Sequence, residues 1–397
     1  MSDLTTNKTG LNALTAENWS NVVQSTLFDL MPEMQIFFSR FGTKTSPTVG
    51  LGIPDSSFLL TGLKGTKVRK KEVFARSYQP LLHTSKPAET DGKAMAYRDN
   101  LPVRTDWKNN SPATRFQRPS VKWCEIVDPL EVPNSDLRDT KRANAQERNG
   151  WEAIGDLMRV ERDDVLGVHT KRWSQLLWGT YTGGLCSTTG YPSDETADNW
   201  DAIHSFTAVA ASTGYLYGVD RGLASGAHMC GNTLNAKAPV FRDMIRYAKH
   251  EMTITNTDLT TSTGLFSKGA DLQVILTGGA LFNIALAEAE GMKGAQIIPG
   301  GTPIPKIAEF GFSRETVVID NTYIIPCPGA ASGQAVGLNL DAWTVAIHPD
   351  GNFYQSPPFN QNQLKGGDDS HVWFLRSRLM IACEVPPIGI VNWTNLA

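Results

Sequence analysis

Four stretches carry residue types that could do chemistry. The run GGDDSH (366–371) sets Asp368, Asp369 and His371 close together. Two carboxylates beside an imidazole could hold a divalent metal and support metal-assisted hydrolysis. The flanking glycines and the lack of a third anchored ligand point instead to a solvated loop. VILTGGALF (274–282) places two glycines between an apolar run and a helix-like run, where a phosphate-binding turn can sit. The third glycine of the dinucleotide fingerprint is missing and no acidic residue follows at the right distance, so a tight strand-to-helix turn is expected. TGLKGTK (61–67) and DGKAM (91–95) bring lysines near glycines without the GxxxxGK[ST] order that cradles phosphate. His169 lies on the apolar stripe of a long helical pattern, where an imidazole is expected to be a hydrogen-bonded core residue rather than a ligand. HExxH and GxSxG are both absent. The expectation is no catalytic, cofactor-binding or metal-binding residue, and so not an enzyme.

The densest positive charge is Lys64, Lys67, Arg69, Lys70, Lys71 and Arg76. Three readings stay open for it: a solvated strand face, a surface that meets an acidic patch on a neighbouring subunit, or a face turned to enclosed nucleic acid. The net charge of −3 gives no global attraction to nucleic acid or acidic membranes, so any contact with DNA must be local. Charged residues are 19% and hydrophobic ones 41%, which places the 397 residues among folded chains with room for two or three subdomains. No basic start with an apolar core marks a signal peptide, and no apolar run has the length of a membrane span. Cys124, Cys186, Cys230, Cys327 and Cys383 are scattered and form no CxxC pair. Buried thiols in a reducing compartment are expected, with neither a disulfide framework nor a zinc site.

The elements that must position these residues begin with a lead-in, 1–58. Residues 59–118 read as a long excursion of two strands, with Phe74, Arg76 and Tyr78 on one face and a polar tip at SKPAETDG. Lys86, Glu89, Asp91 and Lys93 mark that tip. A lone two-stranded ribbon is marginal in water and needs a surface to lie on. Val121–Val127 reads as a short strand that Pro129 and Pro133 end. Asn149–Gly179 then reads as one helix roughly 45 Å long, against a mean globular helix of about 11–12 residues. On a helical wheel Trp151, Ile154, Met158, Val165, Leu166, Trp173 and Leu176 share a stripe, interrupted by Arg162 and His169, while Lys171 faces away. Further on, 238–252 reads as an amphipathic helix with Phe241, Met244, Ile245, Ala248 and Met252 inward. DLQVILTGG reads as a buried strand, ALFNIALAEAEG as a helix closed by Gly291, ETVVIDNTYIIP as a strand, and HVWFLRSRLMIACEVPPIGIVNW as a long terminal strand ended by Pro386 and Pro387. Strands and helices in mixed order indicate an α+β class.

This layout resembles the major capsid proteins of tailed double-stranded DNA bacteriophages, the HK97-like fold. KWCEIVDPLEVPNSDLRD followed by AQERNGWEAIGDLM looks like the strand-then-spine entry of one branch of that family. YGVDR (217–221), VILTGGALF and RLMIACEVPPIGIVNWT look like later landmarks. GLASGAH follows Asp220-Arg221 where bulky aromatics are expected of the family, which is a departure. The resemblance covers about 120–397 by sequence and 1–119 by layout. It implies an N-terminal arm over 1–58, an extended β-ribbon loop over 59–118, and a peripheral domain over 119–229 with a spine helix at about 145–179. An axial domain over 230–345 and a return to the peripheral domain over 346–397, with the C-terminal strand, complete it.

The implied function is a major capsid (head) protein. It would self-assemble as hexamers and pentamers into an icosahedral shell enclosing double-stranded DNA, in virions assembled in the host cytoplasm. The implied partners are other copies of the chain, a separate scaffolding protein, a portal and a decoration protein, with DNA touched by weak non-specific contact and no membrane. An encapsulin-like compartment shell and a metal-dependent soluble hydrolase are the alternatives.

Overall fold

The structure is a computed structural model that describes residues 31–38, 69–72, 77–79, 82–83, 116–117, 121–133, 150–179, 202–206, 215–217, 219–220, 231–235, 240–257, 271–302, 304, 312, 314–348, 354–356, 359–360, 370–383 and 386–394. Its helices are α1 (Pro32–Phe38), α2 (Gly150–Trp178), α3 (Phe241–Thr257), α4 (Gly279–Glu290) and the short α5 (Pro386–Gly389). Its first strands are β1 (Arg69–Glu72), β2 (Ser77–Tyr78), β3 (Leu82–His83), β4 (Phe116–Gln117), β5 (Val121–Lys122), β6 (Cys124–Pro133), β7 (Tyr215–Leu216), β8 (Val219–Asp220) and β9 (Asn232–Asn235). Then come β10 (Val274–Thr277), β11 (Gln296–Ile298), β12 (Thr316–Ile319), β13 (Thr322–Pro326), β14 (Ala335–Leu338) and β15 (Trp343–Ile347). Four more complete the described strands: β16 (Tyr354–Gln355), β17 (Phe359–Asn360), β18 (Ser370–Cys383) and β19 (Ile390–Thr394). The class is α+β, as expected.

Two sheets carry the fold. In the six-stranded sheet the 14-residue β18 is the central member, with β6 antiparallel along it and β15, β16 and β17 also antiparallel to it. β1 joins the outside of β15 in parallel. The seven-stranded sheet runs β11-β12-β13-β10-β14-β19-β9. Its central strand β10 is buried at all four positions. Val274 and Leu276 enter one core while Ile275 enters the other. Burial on both faces is why VILT reads as an unbroken apolar run instead of an alternating one. The first core joins the two sheets to α1 and α2 through Phe37, Trp173, Trp343 and Leu379, and the second lies under α3 and α4.

The excursion leaves and returns as an antiparallel ladder. Ser77 pairs Lys122, Tyr78 pairs Val121, Leu82 pairs Gln117 and His83 pairs Phe116, all in one continuous register. The tip residues Lys86, Glu89, Asp91 and Lys93 lie outside the described residues.

Several sequence expectations are corrected. Pro129 does not end the strand: β6 runs through it to Pro133, with buried and exposed residues alternating. Among the described residues β6 has β18 on one side only, so it is an edge strand, where a proline's missing N–H leaves the ladder intact. ETVVIDNTYIIP is a hairpin and not one strand, because Asp320 (φ 47°) and Asn321 (φ 61°) adopt the left-handed turn that joins β12 to β13. The terminal run divides at Pro386-Pro387 into β18 in one sheet and β19 in the other. A boundary at 345 would cut β15, which belongs whole to the six-stranded sheet. The long helix, described over Gly150–Trp178, ends where expected, with Gly179 left-handed (φ 69°) and its N–H on the Leu176 carbonyl at 3.2 Å.

Candidate assembly surfaces and the buried polar seat of the long helix

Of the basic run, Arg69, Lys70 and Lys71 form β1, an edge of the six-stranded sheet among the described residues. Lys64, Lys67 and Arg76 lie outside the described residues. Three consecutive cations on an edge strand oppose unwanted strand addition, a physical role that needs neither DNA nor an acidic neighbour. The opposite edge, β6, shows Glu125, Val127, Pro129, Glu131 and Pro133 outward. There Glu125 accepts from Arg378 Nη2 at 2.6 Å and forms an ion pair with Arg376, whose Nε lies 2.9 Å away on β18.

The long helix is seated on β6 and β18. Leu166, Trp173 and Leu176 are buried as the wheel indicates, and Val165 is half-buried. The side chains of Trp151, Ile154 and Met158 lie outside the described residues. The wheel missed Leu177, Trp178, Thr170 and Ser174, all buried, while His169 is buried on the stripe as expected. Together these cover an arc of about 200° at 100° per residue, well beyond a single stripe. The Thr170 hydroxyl donates to the Leu166 carbonyl at 2.8 Å, so that polar group costs little to bury.

His169 is the centre of the seat. Its Nδ1 lies 2.6 Å from Asp128 Oδ2 on β6, and its Nε2 lies 2.5 Å from Ser377 Oγ on β18. Trp173 Nε1 donates to the same Ser377 Oγ at 2.6 Å. Arg172 pairs with the other oxygen of Asp128. The charges set the donor order. Arg172 already balances the Asp128 carboxylate, so a protonated imidazole would add an unbalanced charge to a buried site. Burial accordingly lowers the His169 pKa from the usual 6.5 to about 3. The neutral ring then donates from Nδ1–H to Asp128 and accepts the Ser377 O–H at Nε2, while Ser377 accepts from Trp173. Within this group the Trp173, Ser377 and His169 donors each meet one acceptor. The expectation of a hydrogen-bonded core histidine holds, and the ring has two polar partners, Asp128 and Ser377.

A second polar junction ties α1 to the far end of the helix. The buried Glu33 accepts from Ser174 Oγ at 2.7 Å through Oε1, while Oε2 meets no hydrogen-bond donor within 3.5 Å among the described residues. Next to it, burial and then the Glu33 charge push the Cys327 thiol pKa well up. Gly329 is required beside them: a Cβ there would sit 2.4 Å from Ser174 Oγ. Cys327 and Cys383 are free and buried as expected, but Cys124 is disulfide-bonded, which corrects the expectation of thiols throughout. Sequence spacing cannot show which distant cysteines a fold brings together.

Of the other chemical candidates, the strand-to-helix turn and His371 fall among the described residues. At the strand-to-helix turn a Cβ on Gly278 would lie 2.0 Å from the Ala331 carbonyl oxygen, and the Gly278 N–H is bonded to Gln334 O at 2.9 Å. Its own chain therefore fills the space a phosphate would need. His371 is buried within β18, and Asp368 and Asp369 lie outside the described residues, as do TGLKGTK and DGKAM. Among the described residues no group of three His, Cys, Asp or Glu side chains could hold a metal ion. None of the described helices is long and apolar enough to cross a membrane.

No family model matches the chain, and no curated protein matches it. Among solved structures it is similar to the cyanophage A-1(L) capsid asymmetric unit, at 12% identity and a TM-score of 0.47, over 89% of this chain and 97% of that one. It is similar to the capsid of the native GTA particle at 10% identity and a TM-score of 0.45, over 89% and 94% of the two chains. It is also similar to the holo-SrpI encapsulin complex from Synechococcus elongatus at 8% identity and a TM-score of 0.43, over 89% and 92%.

Proposed function

We propose that the chain is a shell-forming protein, the major capsid protein of a tailed double-stranded DNA bacteriophage. The reading rests chiefly on the succession of elements. An antiparallel ribbon leaves and re-enters beside β6, a 29-residue helix follows, a seven-stranded sheet with two helices comes next, and the last strands return to both sheets. That is the order the capsid resemblance calls for. A two-stranded ribbon has too little core to stand alone and is stable when laid on another surface, here a neighbouring copy. Heterologous contacts of that kind close into rings. In this reading hexamers and pentamers tile an icosahedral shell around double-stranded DNA in the virion. A scaffolding protein, a portal and a decoration protein are the partners, and the chain is not an enzyme. DNA contact is weak and non-specific, consistent with a net charge of −3.

Negative-stain electron microscopy of the chain, expressed alone and with neighbouring gene products, tests this. Closed shells or hexamer and pentamer rings are the expected outcome. A homogeneous monomer or dimer under every condition refutes it and redirects attention to Asp368, Asp369 and His371 as a metal site. Shells that hold a cargo enzyme and no DNA replace the virion with an encapsulin-like compartment.

A further inference from the structure

We propose that Asp128, His169, Ser377 and Trp173 form a proton-gated latch that holds the long helix to the six-stranded sheet, and that opening of the latch is coupled to uptake of one proton by His169. The inference rests on packing within one chain and stands whether or not the chain builds shells.

The latch spans three elements. His169 comes from α2, Asp128 from β6 and Ser377 from β18. Asp128 and Ser377 lie on the same sheet face, two residues apart in register: Leu375 pairs Asp128 and Ser377 pairs Ile126. The imidazole therefore bridges two paired strands, and the helix cannot lift away without parting both contacts. Four side chains are closed to water, with Asp128 at 3%, Trp173 and His169 at 0% and Ser377 at 0% exposure. Among the described residues the charged groups at the ring are Asp128 from β6 and Arg172 from the helix itself; Ser377 from β18 and Trp173 are neutral.

Donor order makes the arrangement proton-sensitive. With the ring neutral, Trp173 N–H, Ser377 O–H and His169 Nδ1–H each have one acceptor. Protonation at Nε2 would turn an acceptor into a donor facing the Ser377 hydroxyl. That hydroxyl would then have to release its hydrogen toward another group while Trp173 still donates to it. The closed latch thus excludes the proton, and the open latch, with the ring in water, accepts it. The sign follows. The folded pKa lies near 3 and the open one near 6.5. The contribution to stability is fully present above pH 6.5, falls as pH drops toward 3, and levels off below that.

Hydrogen–deuterium exchange on the purified full-length chain, in whatever assembly it is isolated, reads the opening directly. Peptides covering residues 166–178 are followed from about pH 7 to about pH 4 after correction for intrinsic exchange. In the wild type the opening equilibrium of this segment should rise by up to about tenfold per pH unit below about pH 6.5. His169→Asn keeps an N–H donor for Asp128 and cannot titrate, so its slope should be smaller by one proton. Peptides from α3 serve as control and should show the same slope in both chains. Equal slopes for 166–178 in the two chains overturn the proposal. If His169→Asn does not fold, 15N-histidine spectra of the wild type decide. A neutral Nδ1–H tautomer for His169 at about pH 5 upholds the latch, and an imidazolium at that pH overturns it.

Discussion

The two amphipathic helices that pack on the sheets are seated in different ways. α3 presents Phe241, Met244, Ile245, Ala248 and Met252, all buried, to a purely apolar surface that includes Leu234 and Val391. The described half of α2 is seated over a broader arc, and three of its buried residues are polar. The apolar seat is non-directional: its stability scales with area removed from water and tolerates small shifts. The polar seat is directional, because each hydrogen bond requires one partner at one distance. The difference teaches that a helix with a weak apolar stripe can still be placed firmly when buried polar residues such as His169 and Ser174 bond to the elements below and Thr170 bonds to the helix's own backbone.

Removing one member of the polar seat should give the largest effect. Asp128→Ala leaves the His169 donor and Arg172 without their carboxylate, and should lower stability by about 3–5 kcal/mol. Chemical denaturation checks it, and a cost below about 1 kcal/mol would reduce the seat to ordinary packing. In α3, Ile245→Ala removes buried surface only and should cost about 2–5 kcal/mol. That cost should be the same at about pH 7 and about pH 4.5, whereas the cost of Asp128→Ala should change between them; matching pH behaviour would erase the contrast between the two seats.

Backbone approach gives a smaller, two-sided test. Gly278→Ala drives a Cβ into the Ala331 carbonyl and should cost about 1–3 kcal/mol. Gly279→Ala meets open space and should stabilise by roughly 0.5–1 kcal/mol. Thermal melts of the pair separate the two, and a tolerated Gly278→Ala would reopen the turn as a binding site. At the α1 junction, Glu33→Gln keeps an acceptor for Ser174 while removing a buried charge. It should be neutral or raise the melting point, whereas Ser174→Ala should lower stability by about 1–3 kcal/mol. A large loss in Glu33→Gln would reveal a cation at that carboxylate. The smallest effect on the single chain is expected for charge reversal at Lys70 and Lys71, which should leave its fold unchanged and shift assembly in a salt-dependent way, read by light scattering. Insensitivity there leaves the solvated-face reading of β1 in place.

Sequence alone determined the elements whose signal is local. α3 was legible because its five inward residues repeat at helical spacing, and β10 because both its faces are apolar. The end of α2 at Gly179 was legible because a left-handed residue there needs no side chain. Tertiary structure decided the rest. Pro129 stays in its strand because β6 is an edge, a property of the sheet and not of the residue. The hairpin at Asp320-Asn321 has a local signal, since both residue types tolerate positive φ. His169 looked like a flaw in an apolar stripe, because its partners Asp128 and Ser377 lie 41 and 208 residues away. A buried polar residue is explained by its acceptors and donors, and only the folded chain brings those together.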